Sequence, residues 1–147
     1  MRLEKGFLHV GADTDGTTVP DDVGWGKVAA AKSRDFIGKR SLALTENVRP
    51  DRLQLVGLQP VGSGGAAAGA IIVGSHLRVP DSREPTDGWV TSAGRSVHSG
   101  DPIALAMLRG GRQRIGTEVS VHDAGTVTRA RIVNPPFYDP SGARMSA

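Results

Sequence analysis

Residues 88–133 read GWVTSAGRSVHSGDPIALAMLRGGRQRIGTEVSVHDAGTVTRARIV, and this stretch decides the fold. Four runs in it, 88–92, 103–108, 118–121 and 126–133, carry the Val, Ile, Leu and Thr residues that suit a pleated, half-buried surface. Gly, Asp, Pro or Ser stands in each gap, so every run ends in residues that turn the chain. Upstream, 53–58 (LQLVGL), 70–73 (AIIV) and 77–79 (LRV) have the same character. Six or seven short strands at this spacing predict a mainly β fold that closes on itself as a sandwich or barrel.

Composition agrees. The chain has 147 residues, enough for one domain with an appendage. Aromatics are only 4%, so a core must be built from aliphatic side chains, and 20 Gly with 9 Pro imply many turns. A formal charge of +3 is too small a bias to point to nucleic acid. The chain has no Cys, which removes disulfides, a thiolate nucleophile and a thiolate zinc site, and fits a reducing cytoplasm. No run approaches the roughly 20 apolar residues that span a bilayer. The start, Met1-Arg2-Leu3-Glu4-Lys5, lacks the apolar core of a signal peptide. The expectation is therefore a cytoplasmic protein without a membrane or nucleic-acid partner.

Outside the strand-rich part the pattern is irregular. Residues 11–22 are rich in Asp, Thr and Gly and read as a turn-forming loop. Asp35 stands where an N-cap would, ahead of Phe36, Ile37, Leu42 and Leu44, and predicts a short helix over about 36–46. Asn47 and Pro50 end it. The tail, 134–147, carries Pro135, Pro136 and Pro140 and is expected to be extended. The domain reading is thus 1–47, 51–133 and 134–147.

Several motifs invite chemistry. Asp13-Thr14-Asp15-Gly16-Thr17-Thr18 resembles the first motif of haloacid-dehalogenase-type phosphatases, in which one Asp attacks phosphorus and the next handles a proton. It would make the chain a magnesium-dependent phosphohydrolase using Asp13 and Asp15. That chemistry also needs a distant Lys and further carboxylates on a parallel sheet, and the alternative is an Asp/Gly turn. Gly62-Ser63-Gly64-Gly65 hints at a phosphate-cradling loop, but a strand-like run follows where the fingerprint wants a helix. His9, His76, His98 and His122 have no metal-ligand spacing, so no metal site is expected. Arg109, Arg112 and Arg114 form a basic run that is either a solvated loop or an attractor of a polyanionic tail.

An ordered series of motifs points further. Arg2-Leu3-Glu4-Lys5-Gly6, then Asp13 to Thr17, then Pro20-Asp21-Asp22-Val23-Gly24 resembles the R-x-E-[KA]-G…D…TP-x-[DE]-x-G stretch of the glycine cleavage T-protein family. Asp35-Phe36-Ile37-Gly38-Lys39 resembles its DF-[IV]-GK segment, Trp89-Val90-Thr91-Ser92 its G-x-VTS strand, and Ile103-Ala104-Leu105-Ala106 the strand after it. The ending Pro136-Phe137-Tyr138-Asp139-Pro140 is similar to the close of sarcosine oxidase α chains, which belong to the same family. The series covers nearly the whole chain in order.

The resemblance implies a Greek-key or jelly-roll-like six-stranded barrel over 51–133, with 1–47 as a small α+β remnant of the neighbouring folate-binding subdomain. It implies tetrahydrofolate as cofactor. Glu4 is the residue that would hold the pterin edge through paired N–H bonds, and Ser92 and Arg95 are further cofactor-binding residues. FAD, FMN and NAD would belong to a full sarcosine oxidase complex and not to this chain. The family's catalytic Asp lies in a preceding half, so no catalytic residue is assigned here, and the chain alone is expected to be inactive. Two aromatic positions of the family are occupied by Lys27 and Val10, which implies weaker stacking on a folate. Partners are expected to be other segments of the α chain, the β, γ and δ subunits, or a second copy docked on apolar surface around Phe7, Leu8 and Trp25. The alternative is a non-catalytic barrel that only contacts other subunits.

Overall fold

The computed structural model describes residues 1–62, 71–80 and 82–145. Six antiparallel strands, β1 (Leu53–Pro60), β2 (His76–Arg78), β3 (Gly88–Arg95), β4 (Pro102–Arg109), β5 (Glu118–Asp123) and β6 (Thr126–Val133), form a closed barrel in the order β1-β4-β3-β2-β5-β6. The run β1-β4-β3-β2 has Greek-key order: three hairpin-connected strands, with β1 laid beside the last of them. Closure gives every strand a neighbour on both sides.

Side chains alternate across the barrel wall. Val56, Leu58, Leu77, Val90, Ala104, Ala106, Leu108, Val119, Val121, Ala130 and Ile132 fill the interior and are almost wholly buried. The opposite face is covered by apolar side chains mainly on β1 and β4. There Leu55, Leu105 and Met107 meet Leu3, Leu8, Val23 and Phe137. This explains why 53–58 and 103–108 read as continuous apolar runs, whereas β6 alternates between exposed and buried. Gly57 sits under the Phe137 ring. A Cβ there would lie 2.8 Å from the ring, so glycine lets the tail pack on the wall.

Two expected elements differ. Ile71 is buried, but Ile72 and Val73 are exposed and join no strand, and Ala70 lies outside the described residues. The run bends at Gly74, whose φ is 89°, before a ladder can form. The 36–46 segment is not one helix. It holds a 3₁₀ turn at Ser41–Ala43 and a separate turn of helix, α2 (Thr45–Val48), following α1 (Gly26–Ala30). Asp35 accepts only from its neighbour Phe36 N–H and so caps no helix. Gly38 at φ 91° and Leu44 in an extended conformation interrupt the helical path. Of the Gly62–Gly65 loop, only Gly62 falls among the described residues.

Candidate functional site

In residues 1–50 only three residues are fully buried, and all three are acids: Glu4, Asp13 and Asp22. A buried carboxylate is costly unless it is paired or hydrogen-bonded, and each of these has found partners.

Glu4 rests against the turn that joins β3 to β4. Ser96 Oγ donates to its Oε1 at 2.7 Å, and the His98 backbone N–H donates to the same oxygen at 3.1 Å. Its Oε2 meets the α-amino group of Met1 at 3.1 Å. The Ser96 hydroxyl, the His98 N–H and the α-amino group together hold the Glu4 carboxyl down to about 2. The backbone carbonyl of Glu4 is fixed too, because Phe137 and Tyr138 N–H both donate to it. Lys5 Nζ reaches the Asp139 carboxylate at 3.0 Å, and the Tyr138 ring lies tilted against His98 with centroids 4.4 Å apart. The tail expected to be extended therefore closes over the Glu4 backbone.

Arg2 organises the next layer. Its guanidinium donates to Ser92 Oγ at 2.6 Å, Asp13 Oδ2 at 3.2 Å and the Phe7 carbonyl at 2.7 Å. Ser92 reaches that position because the β3–β4 register shifts between Val90 and Ser92, a bulge that re-aims the following side chain. Asp22 accepts two bonds from Arg52, 2.8 Å from Nε and 2.6 Å from Nη2, a planar two-bond pair. Arg112 pairs with Asp21 at 2.5 Å, so one member of the basic run docks the N-terminal segment on the barrel.

The structure brings Glu4 together with Ser96, and Ser92 with Arg2. Arg95 stands apart on the exposed rim, where it donates to the Gly100 carbonyl at 3.0 Å. Ser96, the 96–98 backbone and the role of Arg2 are partners of the site that no sequence motif above assigns. The signal that could have found Ser96 was its Ser-x-x-Ser turn spacing to Ser99 just after a strand.

The Asp13–Thr18 motif has a structural role here. Asp13 is wholly buried and receives the His9 N–H at 2.6 Å. Asp15 accepts from Thr17 and Thr18, which hold its carboxyl below the usual range. Both line a cavity of about 310 Å³ with Trp89, Arg52 and Arg109. Asp13 Oδ1 and Arg109 Nε are buried there without a hydrogen-bond partner among the described residues. The sheet is antiparallel, so the parallel scaffold that phosphatase chemistry needs is missing.

Leu8 is half-buried, against the expectation that it would be exposed, because the outer face of β1 and β4 takes it up. Phe7 and Trp25 are exposed as expected, and Val28, Ile37, Leu44 and Val48 are exposed too. No helix among the described residues is long and apolar enough to cross a membrane.

A closed Greek-key barrel with an acid-docked N-terminal segment defines a class of small β domain. Residues 54–139 match the model of the glycine cleavage T-protein C-terminal barrel domain, and the chain belongs to that family. It is 39% identical over 145 residues to sarcosine oxidase subunit alpha of Corynebacterium sp. (strain U-96), spanning 98% of this chain and 15% of that protein. It is 32% identical over 139 residues to the aminomethyltransferase of Synechococcus sp. (strain CC9311), spanning 94% of this chain and 35% of that protein. The crystal structure of the glycine cleavage system aminomethyltransferase T from Bartonella henselae superposes with a TM-score of 0.71 at 26% identity, over 92% of this chain and 36% of that one. The chain thus spans about a sixth to a third of the length of the curated relatives it matches.

Proposed function

We propose that this chain is the tetrahydrofolate-handling C-terminal portion of a sarcosine oxidase α-type unit. That unit would carry out oxidative demethylation of sarcosine to glycine, with transfer of the one-carbon fragment to tetrahydrofolate. In this reading Glu4 holds the amine edge of the pterin, Ser92 steadies the site through Arg2, and Arg95 stands at the rim. Tetrahydrofolate supplies the acceptor nitrogens for the one-carbon fragment. The chain's own residues bind and orient it, and they contribute no proton-transfer or redox group. Flavin and dinucleotide chemistry belongs to other segments.

The observation that carries the reading is Glu4: a carboxylate within the family's R-x-E-K-G motif, kept ionised and held in one orientation by the β3–β4 turn. Partners follow from the exposed apolar surface at Trp25, Val28 and Ile37, which suits the preceding segments of the α-type unit or its β, γ and δ subunits. The same surface is the specific support for a second reading, a barrel that only contacts those subunits.

Calorimetric titration with tetrahydrofolate separates the two. The first reading predicts little binding to this chain alone and clear binding once the preceding segments are supplied. Absence of binding in both settings, with subunit capture intact, leaves the interaction module.

A further inference from the structure

The cavity of about 310 Å³ lies where the 11–18 turn and the 46–53 segment meet the outer face of β3 and β4. Its size falls within the range of small-molecule sites, roughly 300–1,000 Å³. Much of the charge lining it is already paired. Arg52 takes both oxygens of Asp22, and Arg49 takes both oxygens of Asp51 and one of Glu46. Two groups are left over. The wholly buried Asp13 gives Oδ2 to the Arg2 guanidinium and the His9 N–H, while its Oδ1 has no partner among the described residues. Arg109, on the same face of β4 as Met107, has a buried Nε that has no partner there either. Trp89 stands directly opposite Met107 across the β3–β4 ladder and gives the cavity an apolar wall.

The two unpaired groups are of opposite kind. A carboxylate oxygen only accepts and a guanidinium nitrogen only donates. Five carboxylates line the cavity against three guanidiniums, so its field repels a simple anion. A simple cation would satisfy Asp13 and leave Arg109 without a partner. A molecule that carries both an ammonium and a carboxylate answers both.

We infer that this cavity is a binding site for a small zwitterion of the amino-acid class, whose ammonium donates to Asp13 Oδ1 and whose carboxylate accepts from Arg109. Trp89 and Met107 supply the wall for its carbon chain. Both polar atoms are covered by their neighbours, so a small side-chain movement of the wall accompanies binding, as is common where partners meet. The bonds then form away from bulk water, where charge-assisted bonds are strong. The inference does not rest on the ligand reading of Glu4, because neither Glu4 nor Ser92 lines this cavity.

The test is an NMR titration of the indole N–H groups in the full 147-residue chain. The probes are glycine, β-alanine, γ-aminobutyrate and ε-aminocaproate, zwitterions of growing length, with methylamine and acetate as single-charge controls. The chain has two Trp, and Trp25 does not line the cavity, so it serves as internal reference. A saturable shift of the Trp89 signal is expected with the zwitterion whose length spans the two groups, while Trp25 stays in place. Methylamine and acetate are expected to bind about tenfold more weakly or worse, the scale of one lost bond to a charged group. Arg109→Met keeps the apolar stem of a half-buried side chain and is expected to weaken the best zwitterion about tenfold as well. No saturable Trp89 shift with any of the four zwitterions overturns the inference. So does a single-charge control that binds as well as the best of them, or unchanged affinity in folded Arg109→Met. If Arg109→Met does not fold, the wild-type series decides alone.

Discussion

The barrel and the N-terminal segment are held by opposite means. From β1 to β6 the buried side chains are overwhelmingly aliphatic and face one another across the interior. In residues 1–50 the fully buried side chains are acids, and the large apolar ones, Trp25, Val28, Ile37 and Val48, lie open to solvent. The barrel thus has an interior filled by its own strands. The segment is pinned to it at Glu4, Arg2, Asp21 and Asp22, with Leu3, Leu8 and Val23 half-buried beneath, and it keeps an unmatched apolar side. Hydrophobic burial supplies bulk stability, whereas bonded buried charges fix geometry at little net gain. A segment attached in the second way is suited to presenting a carboxylate at a fixed place.

The contrast can be broken where it is strongest. Leu58→Ala removes a wholly buried side chain inside the barrel. It is expected to cost about 2–5 kcal/mol in urea unfolding; a loss no larger than for a surface site would mean that the interior is not the main source of stability. Asp22→Ala leaves the Arg52 guanidinium without its two-bond partner. A loss of about 2–3 kcal/mol is expected, the scale of hydrogen bonds to charged groups, with chymotrypsin cleaving first in residues 1–48 while the barrel remains intact.

Acid sharpens the comparison further. Glu4 has a folded-state pKa of about 2 against an ordinary 4.5. Its contribution is therefore fully present above about 4.5 and is lost as pH falls toward about 2. Amide exchange followed by mass spectrometry from pH 5 to 2 should show the turn at 96–98 and the 1–8 segment loosening before the strands of the barrel. Simultaneous loosening of both regions would count against separate modes of attachment. The smallest effect is expected at Ile37→Ala, within about 0.5 kcal/mol for the isolated chain because the side chain is fully exposed. The same substitution should weaken association with the segments or subunits that cover this face, measured by sedimentation.

The barrel was legible in the sequence because strands announce themselves locally: alternation along β6, two-faced apolar runs at β1 and β4, and turn residues between them. The failures had local causes as well. Residues 71–73 have strand-forming side chains, yet only Ile71 turns inward and Gly74 bends the chain away. The helix expected over 36–46 followed apolar spacing alone, and Gly38 and Leu44 broke it. The site was half legible. Glu4 and Ser92 stood in recognisable motifs, but their partners Ser96 and Arg2 act across 92 and 90 residues of chain, and no periodicity records such a pairing. The tail over Glu4 was hidden for the same reason, since its bonds reach back across more than 130 residues, from Phe137 and Tyr138 N–H to the Glu4 carbonyl and from Asp139 to Lys5 at a separation of 134.

The central claim is that Glu4 is a ligand carboxylate and not only a fastening between segment and barrel. Isothermal titration of tetrahydrofolate into the chain assembled with its preceding segments, for wild type and Glu4→Gln, tests it most directly. Gln keeps an oxygen for Ser96 and His98 but puts an N–H donor where Oε2 accepts. The account predicts an intact fold and affinity lowered about a hundredfold, from a lost charge-assisted bond and a donor facing a donor. Equal affinity of the two proteins would contradict it.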